Sequence, residues 1–430
     1  MIPRNLSLLG RYAVVILIFA AYGCQESSQI DCQIVGHSMA TSYKSQHGVA
    51  TCDQCGFKFA CDVVGESVAG QGGVVCGNCG CQIGPKSVAR PADQVKLNRG
   101  QSVRRWDVVA FQRGDRVLVK RVIGLPGETV DFREGNLLID GGIVEKPQHL
   151  WDEISSIVFD SRPSTSRANT TQLFERLVPR AKEAWAISGT TISHHGRQAS
   201  SSDRGDAEFD FLDYRHLRCY KNSKDSNMPA AIDDANPFNQ SIRRTPQRVD
   251  ELDVRVEAAF ALEGSIQLER TMPKGTISAR LDMHDDQTIA LRLTRSSGGD
   301  TKTVENKGIK VSGKSVELRL VNYDDMIRFF VDGAEYLEAI RFESIENDVS
   351  QPVVSIGVSR NGSVTIDRVS IWRDWHLYQD APKPSVKLPL ETGKGGYYVV
   401  GDNLPGSEDS RHFGLVHDII GVVSPFAPRK

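Results

Sequence analysis

The sequence predicts a mainly β protein made of several units, and three observations carry that expectation. Between residues 252 and 378 apolar and polar side chains alternate. Val254, Val256, Ala258 and Phe260 stand against Asp253, Arg255 and Glu257, and Ile289, Leu291 and Leu293 repeat the pattern, as do Val316, Leu318 and Leu320. A period of two belongs to a half-buried strand. Residues 106–142 hold short β-branched runs broken by Arg113-Gly114-Asp115, Leu125-Pro126-Gly127, Glu134-Gly135-Asn136 and Asp140-Gly141, which is how an antiparallel set of hairpins is punctuated. Two Cys-x-x-Cys pairs, Cys52/Cys55 and Cys76/Cys79, mark a small cross-linked knuckle upstream of both regions. Asp332-Gly333 adds a hairpin turn after Met326 to Val331. Residues 252–378 therefore read as seven or more short strands, the pattern of a β-sandwich.

A chain of 430 residues has room for two or three domains, each with its own core. The formal net charge is −2 and no long basic tract occurs, so the clustered cations of a nucleic-acid footprint are missing. Hydrophobic and charged fractions of 40% and 25% are those of a folded globular protein.

Residues 12–23, YAVVILIFAAYG, form an apolar run preceded by Arg4 and Arg11 and followed by Glu26 and Asp31. Extended by Leu6, Leu8 and Leu9, with Arg11 snorkelling, it predicts a single transmembrane helix, N-terminus in the cytoplasm and the remainder outside. Two rival readings stand beside it: a cleaved secretory signal, and a lipoprotein signal ending at Cys24 after Ala21-Tyr22-Gly23. All three send the bulk of the chain across a membrane.

Four thiolates at Cys52, Cys55, Cys76 and Cys79 can surround one tetrahedral zinc. Gly56 and Gly80, directly after each pair, suit the tight turns of such knuckles. With four cysteine ligands the metal has no open position and is structural. Disulfides are the competing reading, because an extracytoplasmic location favours them. Cys61 and Cys81 are left to pair with each other or to serve as surplus ligands.

Lys120 lies in the apolar run Val117 to Ile123, where an ammonium is expensive to bury unless it loses its proton. Taken alone it reads as a lysine snorkelling from a strand edge. Ser38 follows Gly36 and His37 at the end of a short apolar strand, and a serine hydroxyl needs a neighbouring base to become a nucleophile. Taken alone it is a turn residue. The two become informative only as a pair.

Residues 397–423 read YYVVGDNLPGSEDSRHFGLVHDIIGVV, two apolar strands around a loop dense in Gly, Asp and Ser. With GHSM at 36–39 and VKRVIGLPGE at 119–128, this loop completes a resemblance to bacterial type I signal peptidase, a membrane protease with a Ser/Lys dyad. The behaviour of the N-terminus and the cysteine knuckle make the chain similar to the larger planctomycete-type members. The resemblance implies Ser38 as nucleophile, with its backbone N–H in the oxyanion hole, and Lys120 as general base. It implies Ser407 as the hydroxyl that orients the lysine, and Asp409 with Arg411 as the ion pair holding the third loop. Ile34 and Val119 would line shallow pockets for small substrate residues. The implied substrates are preprotein signal peptides, and the implied location is the cell inner membrane, in contact with its lipid. The chain departs from the common pattern at Thr41, Ser42, Glu128 and Leu404, and Gly36 supplies no side-chain oxyanion donor.

The expected architecture is thus a signal-peptidase-type antiparallel β catalytic domain split by insertions. An anchor at 1–24 precedes catalytic segments at 25–48, 85–150 and 391–430. A zinc-ribbon-like insert occupies 49–84, and a long insert 151–390 carries the sandwich at 252–378, which resembles concanavalin A/laminin-G jelly rolls. Residues 171–187 are expected as a helix, Ser200 to Gly205 and Lys221 to Asn227 as loops, and His194-His195 as solvated loop residues. Trp372 and Trp375, three apart on a strand, face opposite sides and are expected in core or interface packing in preference to a sugar platform. A second functional reading is a catalytically weak relative whose sandwich binds a glycan or a protein at the membrane. A third is a secreted or lipid-anchored glycan-binding protein.

Overall fold

In this computed structural model the described residues are 17–18, 29–62, 74–83, 87–162, 175–188, 191–196, 208–217, 229–239, 242, 244–272, 275–342, 353–378, 386–387 and 396–426. The strands outnumber the helices throughout. One antiparallel sheet collects segments from both ends of the chain, in the order Leu17–Ile18, Gln29–Gln33, Gln94–Asn98, Ile419–Pro425, Val108–Arg113, Arg116–Gly124, Tyr398–Val400. The hairpin at Arg113-Gly114-Asp115 fixes its register, with Lys120 opposite Val109 and Arg121 opposite both Val108 and Val400. A four-stranded sheet continues from it through Thr129–Arg133, Asn136–Ile139 and Gly142–Ile143, closed by Val386–Lys387. The turn residues Asp140 and Gly141 have φ of 51° and 84°, the positive values a tight two-residue hairpin requires.

The sandwich is present and larger than the alternation at 252–378 predicts. Its nine-stranded sheet also takes Ser156–Asp160, Trp185–Ser188 and Thr191–His194, and its seven-stranded sheet takes Leu177–Pro179 and Phe209–Tyr214. These strands run only three to six residues, too short for a sustained period to show in the sequence. The helix expected at 171–187 is not formed where it is described: Leu177–Pro179 and Trp185–Ser188 are strands flanking a 3-10 turn, Lys182–Ala184. Each pairs with a strand far away or across a turn, and ladder bonding overrides local propensity. The expected loops at 200–205 and 221–227 lie outside the described residues. His194 is not a solvated loop residue. It is 1% exposed on its strand, bonded through Nδ1 to Gly362 O and through Nε2 to Asp210.

The alternation itself is borne out. Val254, Val256, Ala258, Ile289, Leu293, Leu318 and their neighbours form one core between the two sheets, and the knuckle residues Cys52, Cys55, Cys76 and Cys79 share that core. Trp372 is half-buried under the Arg255 guanidinium. Trp375 lies instead in the core around Ile123, Val400 and Leu404, and its indole N–H donates to Asp402 O.

The helix α1, Gln148–Ile154, joins the sheets around Lys120 and Thr129–Ile143 to the sandwich. Just before it, Lys146 is buried with its ammonium between Asp324, the partner at the shorter distance, and Asp374 at 2.8 Å. Glu251 belongs to the same cluster, and burial followed by the charge of Asp374 pushes its carboxyl well above the usual range. No helix among the described residues is long and apolar enough to cross a membrane. The expected anchor lies outside the described residues apart from Leu17–Ile18, which pair as a short strand with Gln33 and Cys32.

Lys146→Met leaves Asp324, Asp374 and Glu251 buried without their cation. Such a loss destabilises by about 3–5 kcal/mol, to be measured as a lowered denaturant midpoint at unchanged m-value.

Candidate active site

Gly36 has φ of 85°, the bend the chain needs to turn from the strand Gln29–Gln33 into the Ser38 loop. Ser38 is 1% exposed, and so is Lys120. Lys120 Nζ donates to Ser38 Oγ at 2.8 Å and to Val119 O at 3.1 Å. Among the described residues, no carboxylate oxygen contacts the amine. Burial lowers its pKa to about 8, against the pull of Asp409 and Asp402, which act through space to raise it. A serine hydroxyl in hydrogen-bond contact with a lysine so depressed is the geometry of an activated nucleophile.

The loop after Tyr398–Val400 holds the serine from the other side. Asn403 N donates to Ser38 O and Asn403 Nδ2 to His37 O, both at 3.0 Å. The next-door Gly401 is obligatory for this approach, because a Cβ there would collide with Ser407 Oγ and with Ser38 O. Asp409 and Arg411 form a buried ion pair at 2.8 Å, and Arg411 also donates to Leu404 O at 2.6 Å. Burial alone would raise the Asp409 carboxyl. The bonds from His412, Arg411 and Gly401 N–H outweigh it and hold the group well below the usual carboxylate range. Leu404, a departure in the motif, is buried in the core beside Trp375.

Two of the expected roles differ in this structure. Ser407 is buried at 7% exposure, but its Oγ makes no hydrogen bond among the described residues, and the amine of Lys120 is bonded to Ser38 and Val119 instead. Ile34 and Val119 are 1% and 0% exposed within a core that includes Met39, Tyr43, Val95 and Leu97. They stand beside the dyad, but the shallow pockets implied for them are closed.

The sequence reading passed over Arg121 and Asp402, although both lie inside the quoted motifs. Arg121, next to the dyad lysine, is 2% exposed and bidentate with Asp402 at 2.8 and 2.7 Å. Its alternation with Lys120 on the strand was the available signal, since both could not face solvent in a sheet covered on both sides. Glu128, another departure, pairs with Arg105 at 2.5 Å and accepts from Leu125 N at 2.7 Å, which closes the Leu125-Pro126-Gly127 turn.

The four knuckle cysteines form a second candidate site. Their sulfurs all lie within 4.8 Å of one another, with Cys52–Cys79 at 3.5 Å and Cys55–Cys76 at 3.7 Å. Zn–S bonds of about 2.3 Å place tetrahedral sulfurs about 3.8 Å apart, whereas a disulfide needs about 2.05 Å. The two halves mirror each other: Gly56 N–H donates to Cys52 O and Gly80 N–H to Cys76 O, both at 2.8 Å, with φ of 69° and 77°. The donor set and its spacing fit zinc. Cys61 Sγ donates to Gly48 O at 3.7 Å.

Two solved carbohydrate-binding modules resemble the chain weakly. CBM66 from Bacillus subtilis is 11% identical with a TM-score of 0.27, covering 46% of this chain and 94% of that one. The CBM2 module of the Lactobacillus casei BL23 phage J-1 evolved Dit is 10% identical with a TM-score of 0.31, covering 52% and 98%. The curated Signal peptidase I V of Bacillus subtilis (strain 168) is 43% identical over 51 residues, a match spanning 12% of this chain and 30% of that relative. Residues 11–182, which carry both Ser38 and Lys120, match the family described as Signal peptidase, peptidase S26, and are thereby similar to a family of hydrolases.

Proposed function

We propose that the chain is a membrane-anchored serine endopeptidase that removes signal peptides from exported preproteins. The observation that carries this reading is the buried 2.8 Å contact between Lys120 Nζ and Ser38 Oγ, in a segment that matches signal peptidases. Lys120, in its neutral form, takes the Ser38 proton as the oxygen attacks the scissile carbonyl, and the serine N–H supports the oxyanion. Collapse expels the mature protein's amine, which takes the proton back from the Lys120 ammonium, and leaves an acyl-enzyme on Ser38. Water, deprotonated by the same lysine, then releases the signal peptide. Asp409, Arg411 and Asn403 hold the loop that fixes the serine, and Arg121 with Asp402 holds the lysine's strand to the same loop.

The substrate enters extended, pairing its backbone beside the Ser38 strand, with small residues presented toward Ile34 and Val119. Because those side chains are packed shut, binding includes their displacement. The N-terminal segment anchors the enzyme in the inner membrane with the catalytic part outside. Cys52, Cys55, Cys76 and Cys79 hold a structural zinc, which cross-links the knuckle and takes no part in the reaction because all four positions are filled. The sandwich binds a glycan or protein partner at the membrane.

Cleavage of a preprotein with an Ala-x-Ala site tests the dyad. Ser38→Ala and Lys120→Met each abolish turnover while leaving the melting temperature within a few degrees; full activity in either variant sinks the assignment. The base works only when deprotonated, so kcat/KM rises with pH through an apparent pKa of about 8, and roughly a tenth of the enzyme is active at pH 7. A profile flat between pH 6 and 9 contradicts a lysine base. Elemental analysis of the purified chain gives about one zinc, and a strong chelator removes it with a loss of thermal stability. A metal-free protein in which Cys52, Cys55, Cys76 and Cys79 are alkylated as free thiols, or are oxidised to disulfides, rules zinc out.

A further inference from the structure

The helix α1 stands between the dyad and the inserted sandwich and is gripped from both sides. Trp151 and Glu153 are two positions apart, roughly 200° around the helix axis, so they point in opposite directions. Trp151 faces the sandwich at 5% exposure. Its ring stands edge-on to Tyr323 at 5.6 Å and to Phe330 at 6.1 Å, under the Arg319 guanidinium at 5.4 Å. Ser155, one turn later on the same face, shares a hydrogen bond with Tyr323 Oη at 3.1 Å. Leu150 and Ile154 face the catalytic core with Ile123, Val400 and Leu404.

Glu153 reaches both members of the dyad indirectly. Its carboxylate accepts from Arg121 Nη2 at 2.6 Å, and Arg121 directly follows Lys120. Its backbone carbonyl accepts from Ser42 Oγ at 3.2 Å, and Ser42 ends the turn that begins at Ser38. Asp402 completes the other side of Arg121. One residue of the insert junction thus ties the lysine strand, the serine loop and the third loop together. The insert touches the serine loop a second time, where Phe238 packs its ring on His37 at 5.5 Å.

We propose that Glu153 is a positioning residue for the Ser38–Lys120 pair, and that α1, through Trp151, makes the geometry of that pair depend on the inserted sandwich. The inference rests on the peptidase reading for its activity arm and on geometry alone for its structural arm. A pair aligned at 2.8 Å is sensitive to small rotations of its supports, since about 1 Å of misplacement at a reacting centre costs on the order of 10²-fold in rate. Rotating α1 about the Trp151 contact moves the Glu153 carboxylate and carbonyl together, and with them both supports of the dyad.

The test uses the full chain in detergent, with Glu153→Ala, Glu153→Gln, Trp151→Leu and the distant surface change Arg292→Ala. Preprotein cleavage is measured alongside hydrogen exchange of peptides covering 36–43 and 119–124. Glu153→Ala lowers kcat on the order of 10- to 100-fold with KM held within about twofold. Glu153→Gln recovers most of the loss, because its amide oxygen still accepts from Arg121. Trp151→Leu lowers kcat in the same way with Glu153 intact, and both it and Glu153→Ala speed exchange in the two peptides, while Arg292→Ala changes neither readout. Should Trp151→Leu unfold, Trp151→Phe, which keeps an aromatic ring in the contact, takes its place. Unchanged kcat and exchange in the Glu153 and Trp151 variants overturn the inference and leave the peptidase reading standing. A loss confined to KM overturns it as well. Wild type that fails to cleave overturns the peptidase reading, and faster exchange in the variants then still upholds the link from α1 to the Ser38 loop.

Discussion

The structure depends on how a buried cation is partnered, and three neighbouring examples show the range. Lys120 is buried without a carboxylate in contact, so burial dominates and its amine is pushed toward neutrality. Arg121, one residue on, is buried against Asp402 and Glu153 and stays charged. Lys146 lies between Asp324 and Asp374, and their charges raise its pKa despite burial. The same strand-and-junction region therefore supplies one cation that can act as a base and two that act as fasteners. What separates them is whether an oxygen anion lies within hydrogen-bond distance.

Close backbone approach is the second constraint. Gly36 provides a positive φ before the serine, and Gly401 provides the absence of a Cβ where the third loop meets Ser38 O and Ser407. Between them the nucleophile loop is held at two main-chain carbonyls, Ser38 O by the Asn403 backbone N–H and His37 O by the Asn403 side-chain amide. A serine carried on such a loop is fixed by main-chain geometry, which varies less than side-chain rotamers do.

The long insert leaves and re-enters the sheets that carry Lys120 through residues that are themselves buried. Lys146, Trp151 and Ser155 lead out of it, and Asp374, Trp375 and Leu377 lead back. Asn136 donates to Asp325, and Leu377 N–H bonds Gly135 O. The knuckle joins the same assembly, with Asn78 and Asp160 exchanging bonds at 2.9 and 2.8 Å. The insert is thus built into the walls of the unit that holds Ser38 and Lys120, which is how Ser407 and Asp409 come to lie beside residues far earlier in the chain.

The sequence by itself determined the strands with sustained alternation, the hairpin turns at Asp140-Gly141 and Asp332-Gly333, the spacing of the four cysteines and the three motifs. Each of these is a local pattern, set by the pleat, by positive φ or by ligand spacing within a few residues. Tertiary structure decided the rest. The strands at 177–179 and 185–188 exist because distant ladders pair with them, against a local pattern that suggested helix. His194 is buried because Asp210 and Gly362 satisfy both ring nitrogens, and neither partner is visible from its neighbours. Ser407 meets the nucleophile loop without bonding the lysine, a distinction of side-chain direction that no motif encodes. Glu153 falls in a stretch with no recognisable motif and acquires its place only when Arg121 and Ser42 converge on it. Contacts between residues far apart in the chain are selected by shape and charge in three dimensions, and a one-dimensional pattern carries no record of them.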